Sequence, residues 1–206
     1  MNARLLLLGI VAALGLGTAA QAQYIYVDAN GDGVCNFSDV LFAGVTSVDV
    51  WLDTSHGANG AAVTCADGVN PLDIGSYDIL IRSSGPGGVS YGAWTNNMSG
   101  YAQLNPPTVA GPDFGVGYAS SGTYNPPGLY KLGTLALTVT GNPALFFLAS
   151  PPPGIPSPVT GFGSECSGSD NPNTISLGLD FFDNCAPTIT DAVETTTWGK
   201  IKMAYR

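Results

Sequence analysis

Apolar and polar residues alternate with a period of two along most of this chain. Val48, Val50 and Leu52 share one face of a stretch whose other face carries Asp49, Trp51 and Asp53. Tyr77, Ile79 and Ile81 alternate with Asp78, Leu80 and Arg82, and Val89, Tyr91 and Ala93 follow after the Gly85-Pro-Gly-Gly88 break. Phe114, Val116 and Tyr118 repeat the pattern between glycines. Residues 129–140 form the longest run, with Leu135, Leu137 and Val139 on one face and threonines favouring extended backbone. Tyr24–Val27, Ala144–Ala149 and Thr174–Phe182 add shorter strands. Short alternating runs between Gly, Pro and Asn clusters, with almost no 3.6-residue period, predict an all-β fold. The expected architecture is a single jelly-roll or immunoglobulin-like β-sandwich of eight or nine strands.

Composition narrows the function classes. The 206 residues include 28 Gly and 15 Pro, with 6 basic against 15 acidic side chains and a formal net charge of −9. A chain so short of Lys and Arg has no footprint for phosphate, which argues against nucleic acid and anionic membranes as partners. Only 10% of residues are charged while 45% are apolar, the balance of a folded core rather than a disordered acidic segment.

The first 22 residues have the three parts of a secretory signal. Arg4 is the positive end, Leu5–Gly17 the apolar middle, and Ala20-Gln21-Ala22 the small-residue cleavage site. Cleavage there implies a secreted, cell-surface or periplasmic protein without a transmembrane anchor. It divides the chain into a signal peptide (1–22), a strand plus loop (23–45), the sandwich (46–185) and a C-terminal tail (186–206). Pro151–Pro158 reads as an extended crossover inside the domain, because 159–185 is too short to bury a core of its own. Cys35, Cys65, Cys166 and Cys185 survive cleavage, and an even count in an exported chain predicts two disulfides. Three connectivities are open; 35–65 with 166–185 is favoured because each pair brackets a loop-rich stretch.

The most specific chemistry lies in Asp28-Ala-Asn30-Gly-Asp32-Gly33-Val34-Cys35-Asn36-Phe-Ser-Asp39. Calcium takes six to eight oxygens, and a twelve-residue loop offers them from positions 1, 3, 5, 7, 9 and 12. Here these are Asp28, Asn30, Asp32, the Val34 carbonyl, Asn36 and Asp39, with Gly33 at the sharp sixth position. The stretch resembles the calcium loop of EF-hands and, with Asn ninth and Asp twelfth, that of dockerins more closely. It departs from both in having Cys35 at the eighth place, a strand before the loop and no second copy. The resemblance implies one bound Ca²⁺ with a structural rather than a sensing role. Asp53–Gly60 has the outline of a second, degraded loop but lacks further carboxylates, and reads as a turn.

Catalytic constellations are sparse. Gly88-Val-Ser90-Tyr-Gly92 matches the pattern of a hydrolase nucleophile, but a strand runs through it and the only histidine, His56, lies upstream rather than downstream. Most aspartates sit in Gly/Asn turns, where nothing raises one pKa for general-acid work. The protein is therefore read as non-enzymatic. Trp94, Asn96, Asn97 and Tyr101 lie together after a strand and supply the ring and amides that a sugar platform needs; the competing reading is a tryptophan closing the core.

Three stretches, Val48–Leu52, Ser76–Ile81 and Gly128–Val139, make the chain from Val48 to about Ser150 similar to the cohesin and carbohydrate-binding sandwich group. That similarity implies a sandwich that binds a surface protein or a glycan, with no binding residue carried over. The last seven residues, 200–206, hold Lys200, Lys202 and Arg206. Trp198, Ile201 and Tyr205 fit a helical face, while Ile201, Met203 and Tyr205 fit a strand equally well. Such a basic segment suits docking of the acidic domain to another surface component; the competing reading is a terminal element lying on its own domain. The functional expectation is a calcium-held secreted sandwich in adhesion or assembly, with a carbohydrate-binding module as the alternative and a glycoside hydrolase a remote third.

Overall fold

A computed structural model describes residues 23–57, 60, 62–63, 65, 72–157, 159–164 and, for the backbone alone, 180–182. The signal peptide, Cys166, Cys185 and the basic tail lie outside the described residues. Ten strands are present among them: β1 (Gln23–Asp28), β2 (Ser47–Gly57), β3 (Ser76–Ser84), β4 (Gly87–Asn96), β5 (Tyr101–Ala110), β6 (Asp113–Ser120), β7 (Leu129–Gly141), β8 (Ala144–Phe147), β9 (Gly161–Gly163) and β10 (Asp180–Phe182). They form two sheets packed as a β-sandwich. One has the order β10-β1-β2-β7-β4; the other has the order β5-β6-β3-β8, with β9 also pairing β3. Neighbours are antiparallel except β1 and β10, which run parallel with Tyr24 opposite Asp180 and Tyr26 opposite Phe182.

The alternation read from the sequence sets the inner faces. Val48, Val50 and Leu52 from β2 and Leu135, Leu137 and Val139 from β7 are buried, and so are Tyr77, Ile79 and Ile81 from β3 with Phe114 and Val116 from β6. At the usual ~25 cal/mol per Å² of apolar surface removed from water, this interior is the main force holding the sheets together.

Leu132 and Leu80 are two of the positions that break the alternation, each for a physical reason. Leu132 is fully buried although it has the opposite parity to Leu135. The β2–β7 register shifts between Val50 and Trp51, and this bulge turns Leu132 inward. Leu80 lies on the outer face of β3 yet is also fully buried. The crossover covers it: the Leu80 amide donates to Thr160 Oγ1, which in turn donates to the Leu80 carbonyl. Ile155, from the proline-rich stretch, sits directly over Gly115, where a Cβ would collide with it.

Candidate functional site: an Asx loop on an aromatic floor

The residues of loop 28–39 are arranged by side-chain to backbone hydrogen bonds, of which the shortest-range follow from their own spacing. Asn30 Oδ1 accepts the Asp32 amide at 2.9 Å, Asp32 Oδ1 the Val34 amide at 2.8 Å and Asn36 Oδ1 the Ser38 amide at 2.7 Å. Each is an Asx turn, a side-chain oxygen capturing the backbone two residues on. The first and last acids reach further. Asp28 accepts the amides of Gly31 and Gly33 at 2.6 and 2.8 Å, one on each oxygen. Asp39 accepts Ala29 and Asn30 on Oδ1 and Asn36 on Oδ2. Gly33 has φ +74°, a left-handed conformation that a side chain strains to adopt.

The loop folds back over the outer face of the first sheet. Tyr24, Tyr26 and Trp51 stack there, with ring centroids 5.5 Å apart for the tyrosines and 6.4 Å for Tyr26 and Trp51. Tyr26 Oη donates to the Gly33 carbonyl at 2.8 Å, and a Cβ on Gly33 would lie 3.4 Å from the Trp51 ring. Burial pushes the Tyr26 hydroxyl well above its ordinary range, which keeps it a neutral donor. Tyr26 and Trp51 are thus functional neighbours of the loop that its spacing alone does not reveal. Their signal lies in the polar face of β2, whose Trp51 stands opposite Tyr26 in the ladder.

Asp28 and Asp39 are both buried, at 1% and 0% exposure, whereas Asp32 is open to solvent. Burial raises the Asp39 pKa, with the Asp28 charge adding to the effect, while the Val34 amide and then the Asn36 and Asn30 amides lower that of Asp32. Among the described residues the three ion pairs are Asp53–His56, Asp113–Arg82 and Asp49–Lys131, none of which involves the loop. The two buried carboxylates are satisfied by backbone amides alone. Both asparagine side chains donate an N–H to Asp32 Oδ2, at 3.0 and 2.9 Å. Among the described residues no three Asp, Glu, His or Cys side chains are gathered as a metal cage. A calcium ion held by the ligand set read from the sequence would need the Asp28, Asp32 and Asp39 carboxylates drawn together around it, and the two asparagine amides turned to present oxygen rather than nitrogen.

The other sequence candidates are placed plainly. Trp94 and Tyr101 come together with Asn96, but facing inward. Trp94 is 8% exposed, with ring centroids 6.5 Å from Tyr77 and 6.2 Å from Phe114. Its indole covers Gly133, where a Cβ would overlap it. Asn96 Oδ1 accepts from Tyr77 Oη and the Met98 amide, its Nδ2 donates to the Met98 and Tyr101 carbonyls, and Tyr101 Oη donates to the Ile74 carbonyl. The Asn97 amide donates to the Leu132 carbonyl. This group builds the core and the β4–β5 turn, and it presents no ring face to a sugar; the core reading of Trp94 is the one the geometry carries.

Asp53 accepts the amides of Ser55 and His56 and the Ser55 hydroxyl, but the first part of the second Asx stretch is the end of β2, which runs on to Gly57 where the sequence predicts a turn. His56 Nδ1 lies 2.9 Å from Ser55 Oγ and 3.3 Å from Asp53 Oδ2 on an exposed rim. Ser90 sits within β4 opposite Thr138. Neither Cys35 nor Cys65 is a free thiol. No family model matches this chain, and no significant match is found among curated proteins or among solved structures.

Proposed function

We propose that this is a secreted, non-enzymatic β-sandwich whose loop 28–39 binds one calcium ion, and that it serves adhesion or assembly at a cell surface. The observation that carries the reading is the burial of Asp28 and Asp39 on an aromatic floor without a basic partner among the described residues. Buried charge is costly unless matched by opposite charge, and a divalent cation supplies that match where Lys and Arg do not. Asp28, Asn30, Asp32, the Val34 carbonyl, Asn36 and Asp39 would hold it. Calcium titration by calorimetry tests the proposal: one site with a dissociation constant of about 10⁻⁴ to 10⁻³ M is expected, the range of extracellular modules, and none in Asp32→Ala. A heat-silent titration of the wild-type chain that also leaves its stability unchanged would sink it.

The fold supports a different disulfide pairing from the one the sequence favours. Because β10 runs parallel to β1, it ends on the side where β1 gives way to the loop that carries Cys35, and Cys185 is three residues further along the chain. Gly57, at the end of β2, pairs with Gln23 on the opposite side; the Val63 amide bonds the Ser55 carbonyl there, and Cys65 follows. Ser164, two residues before Cys166, donates to Asp73 Oδ1. We therefore propose Cys35–Cys185 and Cys65–Cys166. Peptide mapping of the unreduced protein should recover fragments joining 35 to 185, and recovery of a 35–65 fragment instead would restore the other pairing.

A further inference from the structure

Four of the seven exposed large apolar side chains among the described residues fall on one short segment, in and just after the loop. Val34, Phe37, Val40 and Phe42 are 58%, 72%, 48% and 56% exposed. Intervening Leu41 is fully buried and anchors the segment to the core. Two phenylalanines left to water this close together need an occupant, because solvated apolar surface of that kind marks a contact site.

The chain itself supplies one. Residues 183–206 follow directly on β10, and β10 ends beside the point where β1 enters this loop. That segment carries Trp198, Ile201, Met203 and Tyr205 interspersed with Lys200, Lys202 and Arg206. Residues 23–199 hold all 15 acids but only Arg82 and Lys131 as bases. Both of those are already committed, Arg82 to Asp113 and Lys131 to Asp49. The loop thus offers exposed apolar groups beside the solvent-facing Asp32 carboxylate, and the sequence of the tail places apolar residues beside basic ones. A covalently attached segment also meets its target at an effective concentration that a separate partner rarely reaches.

We infer that the C-terminal segment around residues 198–206 docks on the exposed apolar side chains Val34, Phe37, Val40 and Phe42. The inference needs neither the calcium ion nor the disulfide.

Zero-length carbodiimide cross-linking of the full chain, followed by peptide mapping, reads the contact directly. The expected product joins Lys200 or Lys202 to Asp32 within one molecule. Phe37→Ser/Phe42→Ser removes it, as does Ile201→Ser/Tyr205→Ser. Hydrogen exchange gives a second measure: amides of 34–42 exchange about tenfold faster in Lys200→Glu/Lys202→Glu than in the wild type, while the β2 and β7 amides keep their protection. Cross-links only between molecules would assign the face to a second copy and overturn the proposal. So would unchanged exchange in the charge-reversed chain, or cross-links that survive the phenylalanine substitutions. Loss of protection in β2 and β7 would show a folding defect in a variant; the wild-type cross-link then decides the matter alone.

Discussion

With calcium bound in loop 28–39 as proposed, the melting temperature should rise by roughly 5–11 °C at an ion concentration a hundredfold above the dissociation constant, and chelation should remove the gain. At that ratio, binding to the folded state alone contributes about 2.7 kcal/mol. One kcal/mol moves the transition of a chain of 150–250 residues by about 2–4 °C. The two end acids and the exposed one should behave differently. Asp28 accepts two backbone amides and is 1% exposed, so Asp28→Ala unpairs the Gly31 and Gly33 amides as well as losing the ligand. Its cost should appear even in chelator, at about 1–3 kcal/mol. Asp32 is open to solvent, and Asp32→Ala should abolish the calcium response while leaving the stability of the chelated protein close to that of wild type. Scanning calorimetry of the three proteins with and without calcium separates these effects. An Asp32→Ala protein that gains as much from calcium as the wild type would show that the ion binds elsewhere.

Trp94→Ala costs about 3–5 kcal/mol of folding stability, the usual loss for deleting a large buried aromatic. The indole is 8% exposed, covers Gly133 and packs against Tyr77 and Phe114, both of the opposing sheet, so its removal empties space between the layers. Urea unfolding checks this: the midpoint should fall while the slope stays near the wild-type value, as expected for a stability change without a change of mechanism. A surface residue at this place would move stability by only about 0.5 kcal/mol. A small effect on stability combined with lost glycan binding would return Trp94 to the sugar platform that its neighbours suggest.

Much of the sandwich is legible because period-two alternation is a local property. The inner faces of β2, β3 and β6 can be taken from it directly. The exceptions come from long-range packing: Leu80 is outward by parity but lies under the crossover, and Leu132 is turned in by a bulge that only the β2–β7 register creates. β5 escapes the sequence reading altogether. It carries Pro106 and Pro107 and shows no alternating run, but β5 is the edge of its sheet, where missing N–H donors need no partner, and its register shifts around the prolines. β1, set apart from the sandwich by the sequence reading, is an interior strand of the first sheet.

The loop 28–39 is legible in part for the same reason: Asx turns span two or three residues, so spacing alone dictates the amide bonds of Asn30, Asp32 and Asn36. The reach of Asp28 to Gly33 and of Asp39 back to Ala29 and Asn30 belongs to the fold of the whole loop. The aromatic floor is not local. It requires knowing that Tyr26 stands opposite Trp51. The Trp94 group shows a further limit: proximity along the chain brings Trp94, Asn96 and Tyr101 together, but only the second sheet decides that their rings face inward.

The parallel pairing of β1 with β10 joins residues near opposite ends of the chain, Tyr24 with Asp180. Such a contact closes a very long loop, and its entropy must be met before the pairing returns any free energy. The first strand can dock on β2 early, but its other edge stays without a neighbour until nearly the whole polypeptide is available. Completion of that sheet is therefore a late event on the folding route, set by topology rather than by the strength of the strands concerned. A chain interrupted before residue 180 would carry a formed interior and an open edge, the combination that most readily recruits another copy in place of its own missing strand.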